Sequence, residues 1–280
     1  MRSTLNHIPA EESQEAMGSV KKTARTTGSD PALRAATLAL VAGLFWALPL
    51  VASDTETFDH GYRAYGDLLR AHVVGTRVDY GKLQRNRAAL DEVVDELGGV
   101  TAGQIDGWSR EQQIAYWINA YNAFTLQAIV EHYPIKGSLF SWLSLTPRNS
   151  IKQIDGVWTK LRWRAAGAEM TLDEIEHETL RANYDEPRLH FAVNCASVSC
   201  PPIRRDPYTA DRLDRQLTLA ARDYLASELG LRVDGATLRV SSLLNWYGED
   251  FIDQFSHLVD ATGSAKNRTI LGVIAKYGPA

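Results

Sequence analysis

The run His190–Pro202 carries the residue types best suited to covalent chemistry in this 280-residue chain. It begins with a histidine and holds both cysteines of the protein, Cys195 and Cys200. A thiolate is an effective nucleophile when a histidine, a helix N-terminus or another cation lowers the pKa of the thiol. The preceding residues, Leu189–Val193, are apolar and favour extended structure, so we predict a strand that delivers the cysteines to the end of a sheet.

The cysteine pair has three interpretations. A disulfide between Cys195 and Cys200 would close a small loop and stabilise the fold by about 2 kcal/mol. Alternatively, one cysteine is a nucleophile and His190 or His177 is its partner. The third interpretation is a metal site made of these four residues, but their spacing matches none of the usual zinc templates. We therefore expect no bound metal and no cofactor, and both the disulfide and the nucleophile remain open.

A histidine between two acids is the second candidate for acid–base chemistry. His177 stands between Glu176 and Glu178, and a nearby carboxylate raises the basicity of an imidazole. The same pattern is also found on ordinary solvent-exposed helix faces. For the catalytic interpretation we assign Cys195 as the nucleophile and His177 as the base, with Glu176 or Asn122 holding the imidazole in place.

An aromatic segment and an aromatic pair could line a binding pocket. Asn119 and Asn122 are three residues apart, which places both amides on one face of a predicted helix. A buried amide without a partner costs about 1–3 kcal/mol, so each must bond to backbone groups in the core or orient a substrate or a histidine. Tyr121, Trp246 and Tyr247 could form the wall of such a pocket, or they could be core anchors.

The elements that must position these residues indicate an α+β fold. Ser109–His132 is predicted to be a long helix, and Thr171–Glu174 has the capping-box pattern of a helix start. Ile151–Met170 alternates around glycines, which predicts strands joined by turns. The segments Leu231–Val233 and Thr237–Val240 flank an Asp-Gly pair, which is typical of a hairpin. Because strands and helices do not alternate strictly, we predict long helices packed on a small antiparallel sheet.

The N-terminal segment has a different character from the rest of the chain. Residues 1–33 are polar and predicted to be disordered, whereas residues 34–53 have the basic flank, apolar core and small residues of a signal peptide. Removal after Ser53 would leave residues 54–280 as a single domain in the periplasm or outside the cell, where disulfides persist. If it is not removed, the segment would anchor the protein in the inner membrane, and it is the part we expect to meet a membrane.

Composition limits the kind of partner. The formal charge is −4 at pH 7, and no concentrated basic face indicates nucleic-acid binding. The hydrophobic content of 45% is enough for a packed core. We expect a small-molecule or peptide substrate, and the sequence does not indicate an oligomeric state.

Five motifs, in order, resemble the family known as domain of unknown function (DUF) 547. The resemblance runs from about residue 78 to residue 251 and covers most of the predicted mature chain. The motifs are the Val78-Asp-Tyr element, Tyr116–Phe124, Thr171–His177, Arg188–Pro202 and Tyr247–Phe251.

This resemblance implies a fold and leaves the activity open. The family has been grouped with papain-like and transglutaminase-like folds, which implies a helix packed on an antiparallel sheet with a cleft between them. In papain-like enzymes a cysteine begins the long helix, but Ser109–His132 contains none. Either the active site is rearranged around Cys195 or the scaffold has lost that chemistry. Some family members look like interaction proteins, so a binding or scaffold module with a structural disulfide is the alternative function.

Overall fold

The computed structural model describes residues 57–136, 150–197, 199–235, 237–260 and 262–279. The predicted polar leader and signal segment therefore lie outside the described residues. By its internal contacts, Thr55–Ala280 forms a unit of its own. Of the helices in the described ranges, not one is both long and apolar enough to cross a bilayer.

In the part of the chain that the structure describes, four short helices precede the central helix. They are α1 (Arg63–His72), α2 (Tyr80–Arg85), α3 (Arg87–Gly98) and α4 (Ala102–Asp106). Each of the first three buries one apolar face, and α3 packs directly against the central helix. The helices α1, α2 and α3 also contact one another.

The long helix α5 (Arg110–His132) lies at the centre of the fold. It begins with a capping box in which Ser109 accepts a hydrogen bond from the backbone N–H of Gln112, as the polar start of the segment indicates. Almost every residue from Ile114 to Val130 is buried, which is the behaviour of a helix that is apolar on all sides. The predicted helix at Ser109–His132 is confirmed.

Strands occur as three separate antiparallel hairpins in the described residues, rather than as one sheet. Val73–Val74 (β1) pairs with Arg77–Val78 (β2), and Trp163–Ala165 (β3) pairs with Ala168–Met170 (β4). Leu231–Asp234 (β5) pairs with Thr237–Val240 (β6) around the predicted Asp-Gly turn. The α+β class is confirmed, although the strand content is smaller and more dispersed than a single sheet.

The predicted strand at Leu189–Val193 is wrong, because Pro187–Phe191 forms a 3-10 helix. Pro187 occupies its first turn, where a missing N–H costs nothing, and the Glu186 side chain accepts the N–H of Arg188. The apolar run is buried in this helix, and burial alone does not distinguish a short strand from a helical turn.

The capping box at Thr171 is confirmed, but the helix it starts is unusual. The Thr171 N–H donates to the Glu174 carboxylate at 2.7 Å, and the Glu174 N–H donates to the Thr171 hydroxyl at 3.2 Å. Glu174–Arg181 then continues as a π-helix, a rare geometry that is frequent at functional sites.

The buried apolar residues of the described ranges form two clusters, one around α5 and a second in the C-terminal part of the chain. The C-terminal part contains the helices α6 (Leu213–Leu225), α7 (Ser242–Trp246), α8 (Ile252–Phe255) and α9 (Ala265–Tyr277). Leu189 packs in the cluster around α5, whereas Phe191 packs in the C-terminal cluster. The 3-10 helix that carries His190 therefore joins the two clusters.

Candidate functional site

A pocket of about 310 Å³ opens where the two apolar clusters meet. Four parts of the chain supply its walls: α5, the π-helix, the segment from His190 to Pro201, and the region from Leu229 to Tyr247. Its chemically distinctive lining residues are Tyr121, Glu176, His190, Cys195, Cys200, Trp246 and Tyr247.

Two asparagines of α5 bind the backbone on either side of the cysteine loop, Asn122 before Cys195 and Asn119 after Cys200. The Asn122 amide donates to the Ala192 carbonyl at 3.0 Å and accepts from the Asn194 N–H at 2.8 Å. Asn119 makes the same two bonds to a single residue: it donates to the Tyr208 carbonyl at 2.8 Å and accepts from the Tyr208 N–H at 2.9 Å. Both amides are thus paired with backbone groups, and Asn122 fixes the backbone next to Cys195.

The cysteine loop is closed and well bonded. Cys195 and Cys200 form a disulfide. The Asn194 side chain donates to the Pro201 carbonyl at 2.6 Å and accepts from the Ala196 N–H at 2.9 Å, so it ties the two ends of the loop together. Among the residues that the structure describes, no group of three or more His, Cys, Asp or Glu side chains could hold a metal ion.

His190 is held by a carboxylate through one ring nitrogen. Its Nε2 lies 2.7 Å from Asp250 Oδ2, and the side chain is 1% exposed. Burial lowers the pKa of His190, outweighing the effect of Asp250, so the imidazole is neutral at pH 7. A neutral imidazole bonded to a carboxylate through Nε2 carries its proton there, which leaves the lone pair on Nδ1. Nδ1 is buried and has no hydrogen-bond partner in the structure.

Asp250 is itself anchored by an arginine of the π-helix. The Arg181 guanidinium makes two bonds to its carboxylate, at 2.7 Å and 2.9 Å. The hydrogen bond from His190 and those from Arg181 hold the pKa of Asp250 well below its usual range. A carboxylate that stays charged favours a fixed orientation of the imidazole.

A second acidic group, Glu176 of the π-helix, also lines the pocket. The Tyr247 hydroxyl donates to Glu176 Oε1 at 2.9 Å, and the Tyr247 ring stacks on the His190 ring at a centroid distance of 4.0 Å. Burial and the Glu176 carboxylate raise the pKa values of Tyr247 and Tyr121 well above their usual range. Both phenols are therefore protonated at neutral pH, and Tyr247 donates its proton to the hydrogen bond with Glu176.

The comparison with protein families agrees with the motifs. Residues 105–225 match the family described as "Protein of unknown function, DUF547". The chain therefore carries a DUF547 region at these residues. No curated protein and no solved structure matches it. The matched range holds α5, the π-helix and the cysteine loop, so three of the four walls of the pocket belong to the DUF547 region.

The structure brings together seven of the residues singled out from sequence. The pocket lining contains Glu176, His190, Cys195, Cys200, Tyr121, Trp246 and Tyr247. His177 lies outside the lining: it is exposed, and its Nδ1 accepts a hydrogen bond from Arg181 at 3.0 Å. Asn119 and Asn122 are not among the lining residues, and Asn122 supports the backbone that leads into Cys195.

Sequence reasoning gave no role to Asp250 or Arg181. Asp250 lies within the motif Tyr247–Phe251, of which only Tyr247 was a candidate pocket residue. Its separation of 60 residues from His190 means that their pairing depends on tertiary structure. The available signal was the pair of acids, Glu249 and Asp250, between the aromatic residues of this motif.

Proposed function

We propose that this protein is a thiol-dependent hydrolase or acyl transferase acting on an amide-type substrate, active when the Cys195–Cys200 disulfide is reduced. One observation carries the proposal: His190, held by Asp250 through Nε2 and with Nδ1 unpaired, lines the same pocket as the two cysteines. We assign the base to His190 and its orientation to Asp250, in place of His177 and Glu176.

The chemistry requires a reductant and then a proton transfer. A dithiol supplies two electrons and two protons, which convert the disulfide into two thiols. His190 Nδ1 takes the proton of Cys195, and the thiolate attacks the carbonyl carbon of the amide. The C–N bond breaks, the amine leaves with the proton from the imidazolium, and a thioester remains. Water, or another nucleophile in a transferase, then cleaves the thioester.

Two features support Cys195 as the nucleophile. Asn122 fixes the backbone of the preceding residue, and the side chain of that residue, Asn194, closes the loop. Rigid support of this kind holds a reacting atom in place. The papain-like core implied by the family resemblance is part of the proposal, and the packing of α5 on a hairpin, with Phe124 stacked on Trp163 at 5.6 Å, supports it.

Acyl-enzyme formation tests the proposal without knowledge of the substrate. The protein is incubated with p-nitrophenyl acetate and its intact mass is measured. We expect one acetyl group on reduced wild type and none on oxidised wild type. Cys200→Ser should be acetylated without reductant, because no disulfide can form, and Cys195→Ser should not be acetylated. Acetylation that is indifferent to both cysteines contradicts the proposal.

A second candidate is a binding or scaffold module in which the disulfide is structural. The closed, internally bonded loop favours it. It predicts that Cys195→Ser and Cys200→Ser lower the free energy of unfolding by a similar amount, about 2 kcal/mol from loop closure. It also predicts no acetylation of either variant. Melting curves and the acetylation assay together separate the two candidates.

We place the protein in the periplasm or outside the cell, because residues 34–53 have the layout of a signal peptide. An uncleaved segment would instead anchor the protein in the inner membrane. An oxidising compartment suits a disulfide that is broken only when a specific dithiol is supplied.

A further inference from the structure

Glu176 is a charged residue of the pocket lining that the proposed reaction does not use. It is 7% exposed, lies on the π-helix and lines the pocket. A buried carboxylate is costly unless a charge or several hydrogen bonds compensate it. Tyr247 supplies one neutral hydrogen bond to Oε1.

The arginine of the π-helix is paired with another carboxylate. Arg181 is close enough for Glu176 to contribute to raising its pKa, but both of its bonds to a carboxylate go to Asp250. Within the described part of the chain, Glu176 forms no salt bridge. The pocket therefore presents a carboxylate whose charge is only partly balanced.

The walls around this carboxylate are aromatic. Tyr121 and Tyr247 line the pocket beside Glu176, and Trp246 lines it while remaining 69% exposed. Aromatic faces attract cations, and a planar ring packs well between such walls. A carboxylate among aromatic faces is the chemistry that recognises an organic cation.

We propose that Glu176, with Tyr121, Trp246 and Tyr247, forms a subsite for a primary ammonium group carried on a flat or apolar body. The ammonium donates to the Glu176 carboxylate, while the body lies against the aromatic walls. This inference rests on the proposed function for its place beside the reacting cysteine, and it specifies the substrate class as one bearing an amine near the scissile amide.

Binding of matched probes tests the subsite directly. Benzylammonium and benzyl alcohol share a ring and differ in charge, and each is titrated into oxidised wild-type protein by NMR. Because a hydrogen bond to a charged group is worth more than a neutral one, we expect benzylammonium to bind about tenfold more tightly or better. Equal binding of the two probes overturns the proposal, and this comparison needs no variant.

Variants test whether the Glu176 carboxylate is the group that binds the ammonium. Glu176→Gln should abolish the preference for benzylammonium and leave benzyl alcohol binding unchanged. Glu178→Gln, at an exposed position on the same π-helix, should retain the full preference. Tyr247→Phe keeps the carboxylate and should also retain it. A preference that survives in Glu176→Gln overturns the assignment to this residue.

The proposed subsite and the proposed reaction can be refuted independently of each other. Cys195→Ser should lose acetylation by p-nitrophenyl acetate and keep the preference for benzylammonium, which would show that the subsite is independent of the thiol. Loss of the preference in Glu176→Gln, with the preference kept in Cys195→Ser, supports the subsite. Normal acetylation together with equal binding of the two probes overturns the subsite alone.

Discussion

The amide of Asn122 should contribute substantially to stability and to the geometry of the cysteine loop. It is 3% exposed, and it bonds one carbonyl and one N–H of the segment that leads into Cys195. Replacement by alanine leaves the buried Ala192 carbonyl unpaired, at about 1–3 kcal/mol, and the partly buried Asn194 N–H unpaired, at the lower end of that range. The higher helix propensity of alanine offsets about 0.5 kcal/mol of this loss in the free energy of unfolding. We expect Asn122→Ala to lower the free energy of unfolding by about 2–3 kcal/mol.

Urea unfolding, followed by circular dichroism in the oxidised protein, measures this loss. Asn119→Ala is the matched control, because it removes the same pair of bonds at Tyr208 from the same helix. We expect a similar loss of stability for both variants. Only Asn122→Ala should also speed the reduction of the disulfide by dithiothreitol, because it frees the backbone beside Cys195. A loss below about 1 kcal/mol, or equal reduction rates in the two variants, would refute the reasoning.

Three further predictions follow from the His190 site and from the N-terminus. Burial lowers the pKa of His190 from 6.5, so the unfolded chain binds its proton first, and the free energy of unfolding should fall as pH falls through 6.5. The lowered pKa of Asp250 adds a further loss below its usual value of 3.8. Thermal melts should show a flatter dependence between pH 7 and 5 in His190→Gln, and an unchanged slope would contradict the assignment. Asp250→Asn should lower stability by about 1–3 kcal/mol and abolish acetylation, whereas the exposed Asp253→Asn should do neither. N-terminal sequencing of periplasmic protein should begin near Asp54, and a full-length chain in the membrane fraction would indicate an anchor instead.

Local sequence patterns predicted the elements whose stability is local. The Ser109 cap and the largely apolar run are sufficient to define α5, because capping and burial act along a single helix. The Thr171 capping box and the hairpin at Leu231–Val240 are confirmed for the same reason. Both depend on bonds between residues that are close in sequence.

The site was predicted less completely because its bonds are distant in sequence. The pairs His190–Asp250 and Glu176–Tyr247 join residues 60 and 71 positions apart. The β-prone run at Leu189–Val193 became a 3-10 helix because it leads out of Pro187 and joins two apolar clusters. His177 attracted attention through its acidic neighbours, yet neighbours in a helix point in different directions.

The pH dependence of cysteine alkylation tests the central claim most directly. Reduced protein is treated with iodoacetamide from pH 5 to 9, and the rates at Cys195 and Cys200 are measured by peptide mass spectrometry. We expect Cys195 to react with an apparent pKa well below the usual value of about 8.5, and we expect His190→Gln to return it to that value. If both cysteines titrate near about 8.5 in the wild type, and the profile is the same in His190→Gln, then His190 does not activate a thiol and the catalytic account is contradicted.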